Sequence, residues 1–344
     1  MMNYNYNLPP ELVAHTPAEP RDSARLLVYS TKTNEVLFDT FAHLSRYLPE
    51  HSVLVLNDTQ VVPARLECTK ITGGSVRVLF LMNEWDGGGV IHGLPDRKIT
   101  VGETLYIQQR PFAQAVSQRN EDFGFKLLIT PHEFSSLCAA HGKTPLPPYI
   151  HSTLPESDIR GRYQTVFAQK PASVAAPTAS LHFTEKVFES LKAKDIDKAY
   201  VTLHVGRGTF SPVTPDVIGS GKLHVEPIRV SEETAHVLSA AKHAGRKVIA
   251  SGTTAVRVVE SASSQILAGQ SYEGDTMLLI KPPYEFKIVD ALITNFHIPN
   301  TSLLMLVDAF LQSKGAQKSW RELYEIAIKE KFRFYSFGDA MLIV

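Results

Sequence analysis

Four histidines stand in strings dense in glycine, threonine and serine: His182 in SVAAPTASLHF (173–183), His204 in TLHVGRGTF (202–210), His224 in KLHVEP (222–227) and His297 in TNFHIP (294–299). An imidazole changes charge near neutral pH, so a group of them suits proton transfer. Glu226, two residues after His224, and Asp339, in GDAML (338–342), add carboxylates able to take or give a proton. Three of the four histidines follow or end an apolar, strand-like run, where ligand-binding loops gather in an open α/β sheet. The competing reading of each is a hydrogen-bonded structural histidine. The string SGTTAVRVVES (251–261) puts a small-residue turn at the end of a strand and opens a helix with Thr253 and Thr254, carrying Arg257 and Glu260 one turn apart. Backbone amides at such a start suit an anionic group such as a carboxylate, and a guanidinium fork matches that group geometrically. The structural alternative is a threonine-capped helix with an ordinary Arg/Glu pair. Tyr284, Asp290 and Asn295 are further polar groups inside an otherwise apolar run, residues 282–310.

Familiar catalytic signatures fail on inspection. GSGK (219–222) ends like a phosphate loop, but Asp216 and Leu223 occupy positions that must be Gly and Ser or Thr. GRGTF (206–210) has the first two glycines of a dinucleotide fingerprint, while Ser211 replaces the third and Pro212 interrupts a helix. Neither GxSxG nor HExxH occurs. No local His/Cys/Asp cluster has ligand spacing, so no metal is expected.

These groups need a scaffold, and the 344 residues are enough for about two domains. Lys plus Arg (35) balances Asp plus Glu (35), so a nucleic-acid partner requires a local basic patch rather than a global field. Cys68 and Cys138 fit neither a zinc nor a disulfide framework, and the start MMNYNYNLPPEL has no leader pattern. With no run suited to a membrane span, the expected location is the cytoplasm. Residues 25–29 and 52–56 read as strands with a helix at 41–47 between them. From residue 61 to about 129, short alternating runs separated by glycine breaks read as antiparallel β, a small barrel. The proline-rich stretch 141–158 marks a boundary, after which strands and helices alternate, including one helix over 253–267. The expected fold is therefore α/β: a mostly parallel layered domain (1–60 and 151–344) interrupted by a β-barrel domain (61–150).

Taken together the strings resemble one family, the S-adenosylmethionine:tRNA ribosyltransferase-isomerases of queuosine biosynthesis. LPPELVAHTPAEPRDSARLLV (8–28), LVLNDTQVVPARL (54–66), PLPPYI (145–150), RYQTVFA (162–168), SVAAPTASLHF, VTLHVGRGTFSPV (201–213), LHVE (223–226), GTTAVRVVES (252–261), residues 284–310 and FRFYSFGDAML (332–342) run in the family's order. The resemblance implies transfer of the ribosyl part of S-adenosylmethionine to the aminomethyl group of a 7-deazaguanine at the tRNA wobble position, with rearrangement to epoxyqueuosine and release of adenine and methionine. It implies S-adenosylmethionine as a consumed substrate with no separate cofactor, and tRNA, at its anticodon region, as partner. Such chemistry needs a base near the sulfonium and groups to hold departing adenine and deprotonate the amine. His182, His204, His224, Glu226, His297 and Asp339 are the candidates for it. Arg257, Thr253, Thr254, Tyr284, Asn295, Thr178, Gly206 and Gly208 are the candidates for binding. The chain departs from the family pattern at His15, Gln60, Ser180, Arg207 and Pro283, where the family has Gln, Arg, Gly, Ala and Gly. The segment 90–102 also lacks the family's Arg-Pro pair. These departures raise the alternative of a paralogue with a different acceptor, a non-tRNA one included.

Overall fold

Unbroken apolar strings build the centre of the molecule: VLVLN (53–57), ALITN (291–295) and AMLI (340–343) are buried at every position, as strands covered on both faces must be. A computed structural model describes residues 4–85, 87–119, 121–206 and 214–344. In chain order its strands are β1 (Arg25–Tyr29), β2 (Val36–Thr40), β3 (Val53–Asn57), β4 (Thr59–Val61), β5 (Arg65–Lys70), β6 (Ser75–Phe80), β7 (Val90–Pro95), β8 (Thr104–Ile107), β9 (Arg110–Arg119), β10 (Asp122–Leu127), β11 (Lys170–Ser173), β12 (Asp197–Leu203), β13 (Lys222–Val230), β14 (Val248–Ser251), β15 (Tyr272–Leu278), β16 (Ala291–Asn295) and β17 (Ala340–Ile343).

Among the described residues, nine of these form one sheet in the order β15-β13-β12-β3-β14-β16-β17-β1-β2. Its centre, β12-β3-β14-β16, is parallel, as is the β17-β1 pair, while β13 and β15 on one side and the β16-β17 and β1-β2 pairs on the other run antiparallel. Side chains alternate across it. Leu27, Tyr29, Val53 and Val55 face a core shared with helices Glu232–His243, Thr253–Ser261, Ser302–Ser313 and Trp320–Lys329. Leu26, Val28, Leu54 and Leu56 face a second core shared with helix Glu185–Lys192 and Phe41 and Leu44.

Strands β5–β10 close into an antiparallel barrel in the order β10-β7-β6-β5-β8-β9. Alternation in β5 and β6 sends Leu66, Cys68, Val76 and Val78 into its own core. Helix Pro131–His141 follows, held by a Thr130/Glu133 capping box. Gly142 ends it where any Cβ would collide with the Pro63 carbonyl.

Three local expectations differ. The segment 41–47 is a short 3-10 turn, Phe41–Arg46, and Val36–Thr40 before it is a strand paired with β1. Helix 253–267 breaks at Ala262, which leaves the helical basin at φ −95° and ψ 16°, giving Thr253–Ser261 and Ser263–Leu267. Among the described residues, no helix is long and apolar enough to cross a membrane.

The topology already locates a crevice. The chain leaving β3 leads through the barrel to β12 on one side, whereas the chain leaving β14 leads to β16 on the other. The gap between the carboxyl ends of β3 and β14 is thus a topological switch point, where open α/β sheets bind ligands.

Candidate active site

Helix Thr253–Ser261 rises directly from the carboxyl end of β14. Its N-cap is Gly252, at φ 89°, a conformation that a side chain resists, and no side chain caps the first turn. Amides at such a start carry the positive end of the helix dipole. Beside them, the Thr254 hydroxyl and Nη2 of Arg257 are buried with no hydrogen-bond partner among the described residues. A donor stripped of water and left unpaired is costly, so both groups are aimed at something the free protein does not supply.

The rest of the Arg257 guanidinium is held. Nε donates to the Leu278 carbonyl at 3.1 Å and Nη1 pairs with Glu226, which enters from β13 and also accepts from the Gly206 amide at 3.0 Å. The Arg257/Glu260 pair suggested by helical spacing does not form. Glu260 accepts instead from the backbone amides of Lys287, Ile288 and Val289 at 2.9–3.0 Å, and burial pushes its carboxyl up.

Two narrow cavities, of about 30 and 50 Å³, share Thr253 and Thr254. The first is lined by His224, Glu226 and Arg257; the second by Thr178, Asn295 and His297, with Tyr149 and Tyr335 opposite. Thr178 donates to Asn295 Oδ1 at 2.8 Å. His297 shares a 2.7 Å hydrogen bond with Thr294 through Nε2, and burial brings its pKa down to about 3, so its ring is neutral. A cleft of about 1200 Å³ lies between the barrel and strands β13 and β15, and His224 lines both it and the first cavity. Of these three spaces the cleft alone is large enough for the body of an ordinary ligand, so the two cavities suit its terminal groups.

Other candidates lie apart. His204 bonds Thr59 Oγ1 at 2.8 Å through Nδ1, and burial lowers its pKa. His182 packs against Phe41 and lines another small cavity with Arg21 and Phe337; its Nε2 has no partner among the described residues and burial brings its pKa down to about 4. Asp339 is 1% exposed and spends its carboxylate on the Arg25 and Arg333 amides, at 3.0 and 2.8 Å, and on the Arg333 guanidinium at 3.1 Å. Tyr284 lines a separate surface hollow with Pro283, Phe286 and Lys314. Gly208 and Arg207 lie outside the described residues. The structure thus gathers Thr178, Gly206, His224, Glu226, Thr253, Thr254, Arg257, Asn295 and His297, and leaves Asp339, Tyr284, His182 and His204 outside the two cavities.

A model of the queuosine biosynthesis protein family matches residues 1–343. The chain belongs to that family. Its relatives include the S-adenosylmethionine:tRNA ribosyltransferase-isomerases of Thermotoga maritima, 42% identical over 99% of this chain and 98% of the relative. That of Thermus thermophilus is 42% identical over the same shares. The crystal structure of the Thermotoga maritima S-adenosylmethionine tRNA ribosyltransferase is similar over 99% of both chains, with a TM-score of 0.55 and 33% identity.

Within this family frame the departures acquire places. Ser180, where a glycine is usual, shares a buried 2.8 Å hydrogen bond with Ser251, tying the Thr178–Ser180 turn to the end of β14. Gln60 is half-buried in β4, and Pro283 follows a cis peptide bond beside Tyr284. His15 lies over the ring of His151. Sequence reading missed Asn83, Tyr149 and Tyr335. Tyr149 sits in the matched PLPPYI string, which was a usable signal; Asn83 has none.

Proposed function

We propose that this protein is an S-adenosylmethionine:tRNA ribosyltransferase-isomerase of queuosine biosynthesis. It moves the ribosyl part of S-adenosylmethionine onto the aminomethyl group of a 7-deazaguanine in tRNA and rearranges it to the epoxycyclopentane. Similarity to relatives of that name over essentially the whole chain, barrel and sheet together, carries this reading. S-adenosylmethionine is consumed, and neither a separate cofactor nor a metal enters the scheme. The tRNA is met at its anticodon loop, and the cytoplasm, where thiols such as the buried Cys68 and Cys138 stay unpaired, is the proposed location.

The site chemistry supports a division of labour. The start of helix Thr253–Ser261, the Thr254 hydroxyl and the free Nη2 of Arg257 receive the methionine carboxylate, since together they offer three kinds of unsatisfied donor. Gly206 leaves room for close approach, and Thr178 and Asn295 line the opposite wall. His224 stands between the inner cavity and the cleft, with Glu226 on the wall of the inner cavity, where the proton from the carbon beside the sulfonium and the proton lost by the attacking amine must go. The buried, neutral His182 and His297, the half-buried His204 and the fully bonded Asp339 position the surrounding loops.

The test is to incubate the protein with S-adenosylmethionine and tRNA bearing 7-aminomethyl-7-deazaguanine. Adenine release with a nucleoside of epoxyqueuosine mass is the expected result. Donor binding without either product would sink the assignment.

A further inference from the structure

One buried polar group in the cleft has no role in the scheme above. Asn83 sits on the one-turn 3-10 helix Met82–Glu84 that follows barrel strand β6. It is 7% exposed, and among the described residues neither its Nδ2 nor its Oδ1 has a hydrogen-bond partner. A primary amide dehydrated at both its donor and its acceptor is the most expensive kind of neutral side chain to leave empty-handed. A Cβ on Gly206 would come within 2.9 Å of Nδ2, so glycine at 206 leaves room for the amide, whose residue lines the cleft. Gly206 in turn donates to Glu226, which connects Asn83 to the Arg257 site.

An amide presents one donor and one acceptor side by side in a plane, and the matching partner is a purine edge that offers the reverse pair. Two such edges enter the proposed reaction: the adenine of the donor and the 7-deazaguanine of the acceptor. The cleft around Asn83 chooses between them. Glu84, Glu121 and Asp275 line it with Arg119, an acidic balance that suits a base carrying a cationic aminomethyl arm better than neutral adenine.

Resting on the transferase reading, we propose that Asn83 reads the acceptor base: Nδ2 donates to the ring carbonyl oxygen of the 7-deazaguanine and Oδ1 accepts from the adjacent ring N–H. The barrel therefore contributes a specificity-determining residue, and the ribosyl acceptor is selected on the face of the cleft opposite the donor's carboxylate.

The test compares the wild type with Asn83→Leu, which keeps the size and removes both polar atoms, and Asn83→Asp, which keeps the shape and replaces the donor with a second acceptor. In both variants kcat/KM for the tRNA is expected to fall at least about tenfold, the size of a lost bidentate base contact. The Kd for S-adenosylmethionine measured without tRNA stays within twofold, and Asn83→Leu melts no lower than wild type. If Asn83→Leu folds poorly, Asn83→Asp decides. Unchanged acceptor kinetics overturn the proposal, and so does weaker donor binding with acceptor kinetics retained, which would assign Asn83 to adenine. A wild type that releases no adenine brings down the transferase reading and this proposal with it.

Discussion

Two buried carboxylates, each paired with an arginine, have opposite endings. Asp339 meets Arg333 within its own turn and collects the amides of Arg25 and Arg333 as well, so every strong donor near it is used. Glu226 meets Arg257 across two elements, the strand β13 and the helix after β14, and the pairing leaves Arg257 Nη2 and the neighbouring Thr254 hydroxyl unpaired. The first arrangement closes a loop. The second keeps a charged group dehydrated, oriented and unsatisfied, the condition for binding an anion without reorganisation. Residue type and loop context alone do not separate a structural carboxylate from a functional one; the accounting of hydrogen bonds does.

That contrast breaks most readily at Arg257. Replacing it with Met leaves Glu226 buried without its counter-ion, so stability should fall by about 3–5 kcal/mol. The double variant R257M/E226Q recovers most of that stability while donor affinity stays at least about tenfold down, the scale of a lost hydrogen bond to a charged group. Chemical unfolding read beside donor titration checks both arms. Wild-type donor affinity in the double variant would remove Arg257 from the site.

Asp339→Asn should cost about 2–3 kcal/mol by weakening charge-assisted hydrogen bonds, with donor affinity unchanged in the folded fraction. A loss of donor affinity without a loss of stability would erase the distinction between the two pairs.

A further effect is expected from acid. His182 titrates near 6.5 when unfolded and near 4 when folded, so between those values the unfolded chain binds more protons. Its neutral, folded form therefore contributes stability that is complete above about pH 6.5 and lost as pH falls, roughly 2 kcal/mol by pH 5. His297, brought down to about 3, adds a loss of the same sign. Urea midpoints at pH 7 and pH 5 measure the sum. His182→Gln should flatten that dependence, and an unaltered slope would mean the imidazole is solvated.

Much of the architecture is legible along the chain because the physical signals are local. Runs buried on both faces read as central strands, and alternation between glycine breaks reads as barrel. The strings around His204 and Arg257 mark the loops that end those strands, whereas Glu226 stands within β13. The short strand 36–40 escapes because its alternation is weak and two of its residues, Leu37 and Phe38, are exposed apolar groups. The break at Ala262 escapes because nothing in AVRVVESASSQIL stops a helix by propensity alone.

By itself, then, the sequence determined the family, the succession of elements and which loops carry polar groups, all consequences of neighbouring residues and their spacing. Only the tertiary structure decided that Arg257 pairs with Glu226 rather than Glu260, and that Asp339 is saturated. It also decided that Asn83, 123 positions from Gly206, shares a cleft with it. Each is a matter of which donor finds which acceptor across the fold, and partners far apart in the chain leave no local trace of that match.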